Sequence, residues 1–174
     1  MDDDITFEKS PEELLENSFE ITMHGFRNDV KLDFETYQEN GTLALQLLCR
    51  PDGEEMPGGQ DEGPGNPFCV PYAVATVNLP ESSMLPEDEQ FVNENCQEGM
   101  GVWLQRSGIA KPSGMIAFSG YCAYQSYRFN ITDEVRKKIV DCRCAANERK
   151  REELFRREHP NVHIEIETRH GHKR

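Results

Sequence analysis

The sequence lacks the short motifs that mark the common enzyme classes. It contains no G-x-S-x-G, no P-loop and no H-E-x-x-H. Its G-x-G pairs, Gly63/Gly65 and Gly99/Gly101, have neither the third glycine nor the strand–helix context of a dinucleotide site. Histidine is scarce too, because His24 is the only one before residue 159. We therefore expect a protein that is not an enzyme and that uses no cofactor.

Long apolar runs are missing as well. No run approaches the roughly 20 residues that a membrane span needs. The first residues, MDDDITFEKSPEELLEN, contain neither a basic segment nor an apolar core of a signal peptide. We expect a soluble, cytoplasmic protein that does not bind membranes. In that reducing compartment the six cysteines are expected to be thiols or metal ligands.

Basic residues are rare in the first hundred positions. This part holds 4 Lys and Arg against 23 Asp and Glu, a net charge of −19, whereas residues 101–174 have a net charge of +6. The whole chain therefore carries −13. An acidic surface repels nucleic acid and anionic membranes and attracts basic protein surfaces. Solubility alone would also account for it.

The residue pattern predicts an α+β fold with an antiparallel sheet of about five strands, short helices and a long C-terminal helix. Ser10 and Glu13 form a capping box around Pro11, which is typical of a helix start. Alternation of apolar and polar residues predicts strands. The predicted strands lie near 19–23, 30–34, 43–47, 68–79 (with a bulge or edge at Pro71) and 115–129, and a helical turn is predicted from Pro86.

The chain divides into three parts on this interpretation. Residues 1–131 form the α+β domain, 132–158 the C-terminal helix and 159–174 a tail. Within the domain, residues 51–67 hold nine glycines and prolines and five acids but no base. That composition predicts a long, acidic surface loop.

Cysteines occur at two places in the sequence where a chemical site is conceivable. Cys122 lies in the aromatic segment SGYCAYQSYRFN without a nearby histidine, and a packed thiol in a strand is the preferred interpretation. The residues Cys142, Cys144, His159 and His163 follow a C-x-C-x14-H-x3-H spacing that resembles a zinc finger loosely. Residues two apart on a helix point about 200° apart, so we expect no metal there.

Four segments in the middle of the chain carry a family resemblance. NGTLALQL, PYAVATVNLPES, GMGVWLQRSGIAKPSG and SGYCAYQSYRFN resemble, in order and spacing, an uncharacterised small domain family of gut anaerobes and their mobile elements. The resemblance covers about residues 37–130 and leaves out the C-terminal helix. It implies no catalytic residue. Small acidic proteins of mobile elements are often anti-CRISPR or anti-restriction proteins, and the resemblance implies such a setting.

The function that we expect is inhibition of a nucleic-acid-handling defence enzyme of the host. Carboxylates would occupy a basic groove that otherwise holds phosphates, so the partner is a basic nucleic-acid-binding protein or nuclease. The expected partner-binding residues are Asp52, Glu54, Glu55, Asp61, Glu62, Glu87, Asp88, Glu89 and Glu94.

Two alternatives stay open. The chain could be an accessory protein-binding module of a mobile element with no inhibitory activity. It could also bind nucleic acid through the bases of its C-terminal helix at 136–138 and 149–157. Direct nucleic-acid binding is less favoured, because glutamates interleave with those bases and the whole-protein charge opposes it.

Overall fold

The computed structural model describes residues 5–51 and 67–161 and confirms the predicted α+β class. Its strands all pair antiparallel and form two four-stranded sheets, where the sequence predicted one sheet of about five strands. In chain order the elements are α1 (Pro11–Glu16), β1 (Phe19–Met23), β2 (Phe26–Thr36), β3 (Leu43–Cys49), β4 (Val70–Val74), β5 (Thr76–Val77), a 3₁₀ turn (Pro80–Met84), β6 (Glu89–Val92), α2 (Met100–Arg106), β7 (Ala110–Ser119), β8 (Cys122–Phe129) and α3 (Asp133–Glu158).

The first sheet has the order β1-β2-β3-β4 and is an antiparallel meander. Its first hairpin turns over His24 and Gly25, whose φ values of 51° and 81° suit a two-residue turn between antiparallel strands. Met23 therefore pairs directly with Phe26, and β2 begins four residues before the predicted alternation at Val30.

The chain passes from the first sheet to the second at Ala75. The Ala75 N–H donates to the carbonyl of Leu45 at 2.9 Å, and the Ala75 carbonyl accepts from Asn93 N–H at 2.9 Å. Just before this point the register of β3 and β4 shifts opposite Pro71, which confirms the predicted irregularity. The two sheets are thus joined by a continuous main chain as well as by side chains.

The second sheet has the order β5-β6-β8-β7 and contains an element that the sequence analysis missed. A single turn does begin at Pro86, where Glu89 N–H donates to the Pro86 carbonyl at 3.1 Å. It does not continue as a helix, because Glu89–Val92 forms the inner strand β6, and the 3₁₀ turn lies earlier, at Pro80–Met84. All four residues of β6 are buried. Pairing with β5 and β8 on its two sides overrides the helical preference of the acidic sequence.

The helix α3 begins as predicted, with the Thr132 hydroxyl accepting from Val135 N–H at 3.2 Å. Its buried residues are Ile139 and Ala146, and every residue from 147 to 158 is exposed. Arg149 still donates to the Gln38 carbonyl at 3.0 Å, so α3 extends beyond the body of the protein only after that residue. None of the helices in residues 5–51 and 67–161 is long and apolar enough to cross a membrane.

The main hydrophobic core lies where the two sheets and the helices meet. Phe34 of β2 and Phe129 of β8 contact each other edge to face, with ring centroids 6.4 Å apart. Leu14 of α1, Leu104 of α2 and Ile139 of α3 close the same core and are each fully buried. A smaller cluster of Leu79, Leu85, Phe91 and Ala117 lies beside the second sheet.

Candidate partner-binding surfaces

Five of the predicted partner-binding residues lie outside the described residues. They are Asp52, Glu54, Glu55, Asp61 and Glu62. The segment that carries them leaves and re-enters the first sheet at neighbouring positions, because Cys49 pairs with Val70. At its base the buried ring of Phe68 has the guanidinium of Arg50 at 4.9 Å and the ammonium of Lys31 at 5.5 Å.

The next three predicted residues, Glu87, Asp88 and Glu89, pair with arginines of the same chain. Arg136 of α3 lies 2.9 Å from the Glu87 carboxylate and 3.4 Å from that of Asp88. Arg128 of β8 lies 3.5 Å from the Glu89 carboxylate and 3.8 Å from Asp88. Glu89 is buried, whereas Glu87 is half exposed. The pairs bind α3 and β8 to the start of β6.

The pKa of Glu87 lies below its usual value. A hydrogen bond from its own main-chain N–H is the largest cause, followed by the hydrogen bond from Arg136.

A third arginine completes the arrangement, since Arg143 donates to the carbonyls of Leu85 at 2.6 Å and Pro86 at 3.2 Å. We call Arg128, Arg136 and Arg143 with residues 85–89 the arginine clamp.

The sequence contains one signal for this clamp. Arg136 and Arg143 are seven residues apart, which places them on the same face of a helix two turns apart. That spacing predicts a shared target, but it does not identify the 85–89 segment, which is about 50 residues away in the chain.

The last predicted residue, Glu94, serves the main chain. One carboxylate oxygen accepts from Gly99 N–H at 2.8 Å and the other from Gly101 N–H at 2.7 Å. These N–H groups flank the first residue of α2, where a negative charge is favourable. Glu94 therefore fixes the entry into α2, although its side chain stays accessible to solvent.

The carboxylates without an ion pair lie elsewhere. Besides Glu94, seven exposed acids of the first hundred residues form no ion pair within residues 5–51 and 67–161: Glu8, Glu12, Glu13, Glu16, Asp29, Glu39 and Glu98. Three of them belong to the six-residue helix α1. Asp29 of β2 stands directly opposite Glu20 of β1 in the sheet register. The sequence analysis did not single out this surface.

A second exposed surface is apolar. The side chains of Ile116 and Phe118 in β7 and of Tyr121 in the adjoining turn are largely exposed. Beside them a groove of about 320 Å³ runs between β8 and α2, and Val102 and Ala123 line it. The register places Phe118 opposite Ala123, so these residues share one face of the sheet.

The cysteine and histidine residues form no metal site in the described part of the chain, where no three His, Cys, Asp or Glu side chains are grouped to hold an ion. Cys142 lines a cavity of about 470 Å³ between α3 and the 36–41 segment, whereas Cys144 is exposed. His159 stacks on Phe155, and His163 lies outside the described residues.

The predicted packed thiol, Cys122, is half-buried at the first position of β8. The pKa of the Tyr124 hydroxyl, two residues along the strand, is raised by burial first and by Cys122 second. Cys122 is only partly packed and is not one of the buried core residues.

The family comparison fits this architecture. A family model described as a domain of unknown function, DUF4313, matches residues 31–151. The chain belongs to this family. No curated protein and no solved structure matches the chain. The DUF4313 match runs from β2 through most of α3, beyond the 37–130 range of the resemblance, and it leaves out α1, β1 and the end of α3.

Two of the segments that carry the resemblance build the joint between the two sheets of the DUF4313 domain. Asn40 donates to Asn78 at 2.8 Å, and the Thr42 hydroxyl donates to Asn40 at 2.7 Å. The buried amide of Gln90 donates to the Thr42 hydroxyl at 3.0 Å and accepts from Ser82 at 2.7 Å. These side chains satisfy one another, which is typical of a structural polar network.

Proposed function

We propose that this DUF4313 protein is a non-catalytic binding protein that inhibits a nucleic-acid-handling enzyme, such as a CRISPR effector nuclease, by placing carboxylates in its basic groove. The observation that carries the proposal is the set of seven exposed acids, besides Glu94, that form no ion pair in the described residues. Because the bases of β8 and α3 do not neutralise them, the acidic character of the first hundred residues persists on the surface. Such a surface steers and orients a basic partner.

Some of the expected partner-binding carboxylates already bond to other residues of the same chain. A carboxylate already bonded to an arginine must give up that bond before it can bind a groove lysine or arginine. Glu87, Asp88 and Glu89 are in that position, and Glu94 is bonded to the main chain. The proposed contact set is therefore the loop carboxylates Asp52, Glu54, Glu55, Asp61 and Glu62, together with Glu12, Glu13, Glu16 and Asp29.

The test measures cleavage of a labelled DNA duplex by host CRISPR effector nucleases and restriction endonucleases, with increasing amounts of the full chain. Replacing the five loop acids with Asn or Gln should abolish inhibition while leaving the melting temperature unchanged. The matched control neutralises Glu148, Glu152 and Glu153 on the exposed end of α3 and should inhibit like the unmodified protein. Equal inhibition by the loop variant and the unmodified chain would disprove the groove mechanism.

The salt dependence of binding is a second test. Attraction between opposite charges is screened over about 10 Å at 0.1 M salt, so affinity for the nuclease should fall steeply as salt rises. An affinity that does not change with salt would indicate an apolar contact. Binding without any loss of cleavage would favour the accessory module over the inhibitor.

A second candidate function is nucleic-acid binding by the end of α3. It is favoured by Lys150, Arg151 and Arg156, which are exposed and form no ion pair within the described residues. Fluorescence anisotropy of a labelled duplex with the full chain separates the candidates. Binding that is lost on replacing these three bases with Glu would support the second candidate, whereas no binding at low salt would remove it.

A further inference from the structure

The hairpin of β7 and β8 has an unusual composition. Residues 112–127 contain no Asp, Glu, Lys, Arg or His, although 29% of the chain is charged. The outer part of the hairpin extends beyond β6, which pairs with β8 only at residues 126–128. Its surface is therefore both neutral and accessible, in a protein whose net charge is −13.

The strand β7 lies at the edge of its sheet. Ser119 and Cys122 flank a two-residue turn whose first residue, Gly120, has φ 61°, so they form a hydrogen-bonded pair. Hydrogen-bonded and non-hydrogen-bonded pairs alternate along an antiparallel ladder, so the main-chain groups of Ile116 and Phe118 point away from β8. Neither residue has another main-chain partner among residues 5–51 and 67–161.

The outer half of this edge has none of the usual protection against pairing. Natural edge strands carry a lysine, a proline, a bulge or an inward charge. In β7 these features are confined to the first half, where Lys111 and Pro112 precede an irregularity at Gly114. From Ile116 to Ser119 the strand is regular, uncharged and rich in exposed apolar side chains, with Phe118 73% exposed.

We infer that residues 116–118 of β7 pair antiparallel with the same segment of a second copy of this chain, which joins two four-stranded sheets into one of eight strands. Two copies with a charge of −13 each repel overall, and this hairpin offers a surface without charge for their contact. A twofold axis at Ala117 places Ile116 of one copy beside Phe118 of the other. Aromatic and β-branched neighbours are among the favourable cross-strand pairs, and a twofold contact needs only this one surface.

The test is the molar mass of the full chain, measured by sedimentation equilibrium over a range of concentrations. The unmodified protein should be dimeric, and Phe118→Lys and Ile116→Lys should each be monomeric because they place like charges at the twofold axis. The matched control is Phe26→Lys, since Phe26 is equally exposed at 73% but lies in the other hairpin. This control should stay dimeric. Higher salt should strengthen the dimer, because it screens the repulsion between acidic copies.

A second measurement requires no variant. Amide hydrogen exchange of Ile116 and Phe118 should slow as protein concentration rises, whereas that of residues 26–28 should not change. A monomer at the highest concentration, a dimer that survives both lysine variants, or a dimer lost in Phe26→Lys would each overturn the inference. Exchange that is independent of concentration at Ile116 and Phe118 would do so as well.

Discussion

The first and last hairpins of the fold share a design but differ in charge. Each turns over two residues with a glycine at positive φ, Gly25 or Gly120, and each supplies an edge strand to a four-stranded sheet. The β1–β2 hairpin carries Glu20, Arg27 and Asp29 near its turn, and the first two lie 3.2 Å apart. The β7–β8 hairpin carries no charged residue from 112 to 127.

Because of this difference, the surface has one charged and one neutral strand edge, and each suits a different kind of contact. Charges on β1 and β2 protect that edge from strand pairing and remain available to a basic partner. The outer part of β7 carries no charge, so it neither blocks pairing with another strand nor attracts a basic groove. An acid-driven partner and a second copy would therefore use different hairpins and respond to salt in opposite directions.

The largest loss of stability is expected from a substitution in the core, where β2 of the first hairpin packs against β8 of the second. Phe129 of β8 is 1% exposed and packs on Phe34 of β2. Phe129→Ala should lower the free energy of unfolding by about 3–5 kcal/mol, because it leaves a cavity that both sheets line. Chemical denaturation monitored by circular dichroism measures this loss, and both hairpins should unfold in one transition.

The matched substitutions at the outer ends should cost little. Phe26→Ala and Phe118→Ala remove exposed rings, so each should change the monomer's unfolding free energy by no more than about 0.5 kcal/mol. A Phe129→Ala protein as stable as either of these would show that the two sheets do not share one core.

Local sequence patterns were sufficient to predict the elements whose formation depends on residues close together in the chain. The capping signal at Ser10 and the alternation of β1 and β3 predicted elements that the structure contains. The strand β6 was not predicted, because its burial depends on pairing with β5 and β8. The acidic residues after Pro86 do not by themselves favour an inner strand.

The candidate site was harder to predict for a related reason. Sequence identifies a carboxylate but not its partner, and Glu87 differs from Glu12 only in having Arg136 beside it. The arginine clamp depends on contacts between residues that are far apart in the chain. The loop acids at 52–62 stay a prediction, since they lie outside the described residues.

An intermediate effect is expected inside the second hairpin. The buried hydroxyl of Ser126 accepts from Met115 N–H at 3.0 Å and lies 2.7 Å from the Ser113 hydroxyl. Ser126→Ala should cost about 1–3 kcal/mol, because it leaves the Met115 N–H without that partner. Hydrogen exchange at Met115 should accelerate. The control Thr22→Ala, at an exposed position of β1, should not alter the exchange of either hairpin.

The smallest effect concerns Glu87 of the arginine clamp and its counterpart in the first hairpin. Because the folded pKa of Glu87 lies below its ordinary value of 4.5, its stabilisation is present above that value and is lost as pH falls through the folded pKa. Glu87→Gln should therefore be less stable at pH 7 by about 1 kcal/mol or less, since the pair with Arg136 is half exposed. The difference from the unmodified protein should shrink as pH falls below 4.5. Asp33, whose pKa is raised by burial, contributes with the opposite sign but is the same in both proteins.

Urea unfolding at pH 7, 5 and 3 measures this difference. Glu20→Gln is the matched control, because the Glu20 and Arg27 side chains are 58% and 74% exposed and their pair should contribute nothing measurable. A Glu87→Gln difference that stays constant down to pH 3 would mean that the carboxylate charge does not hold the clamp. A loss in Glu20→Gln equal to that in Glu87→Gln would mean that the arginine clamp and the first hairpin do not differ in how their charges are used.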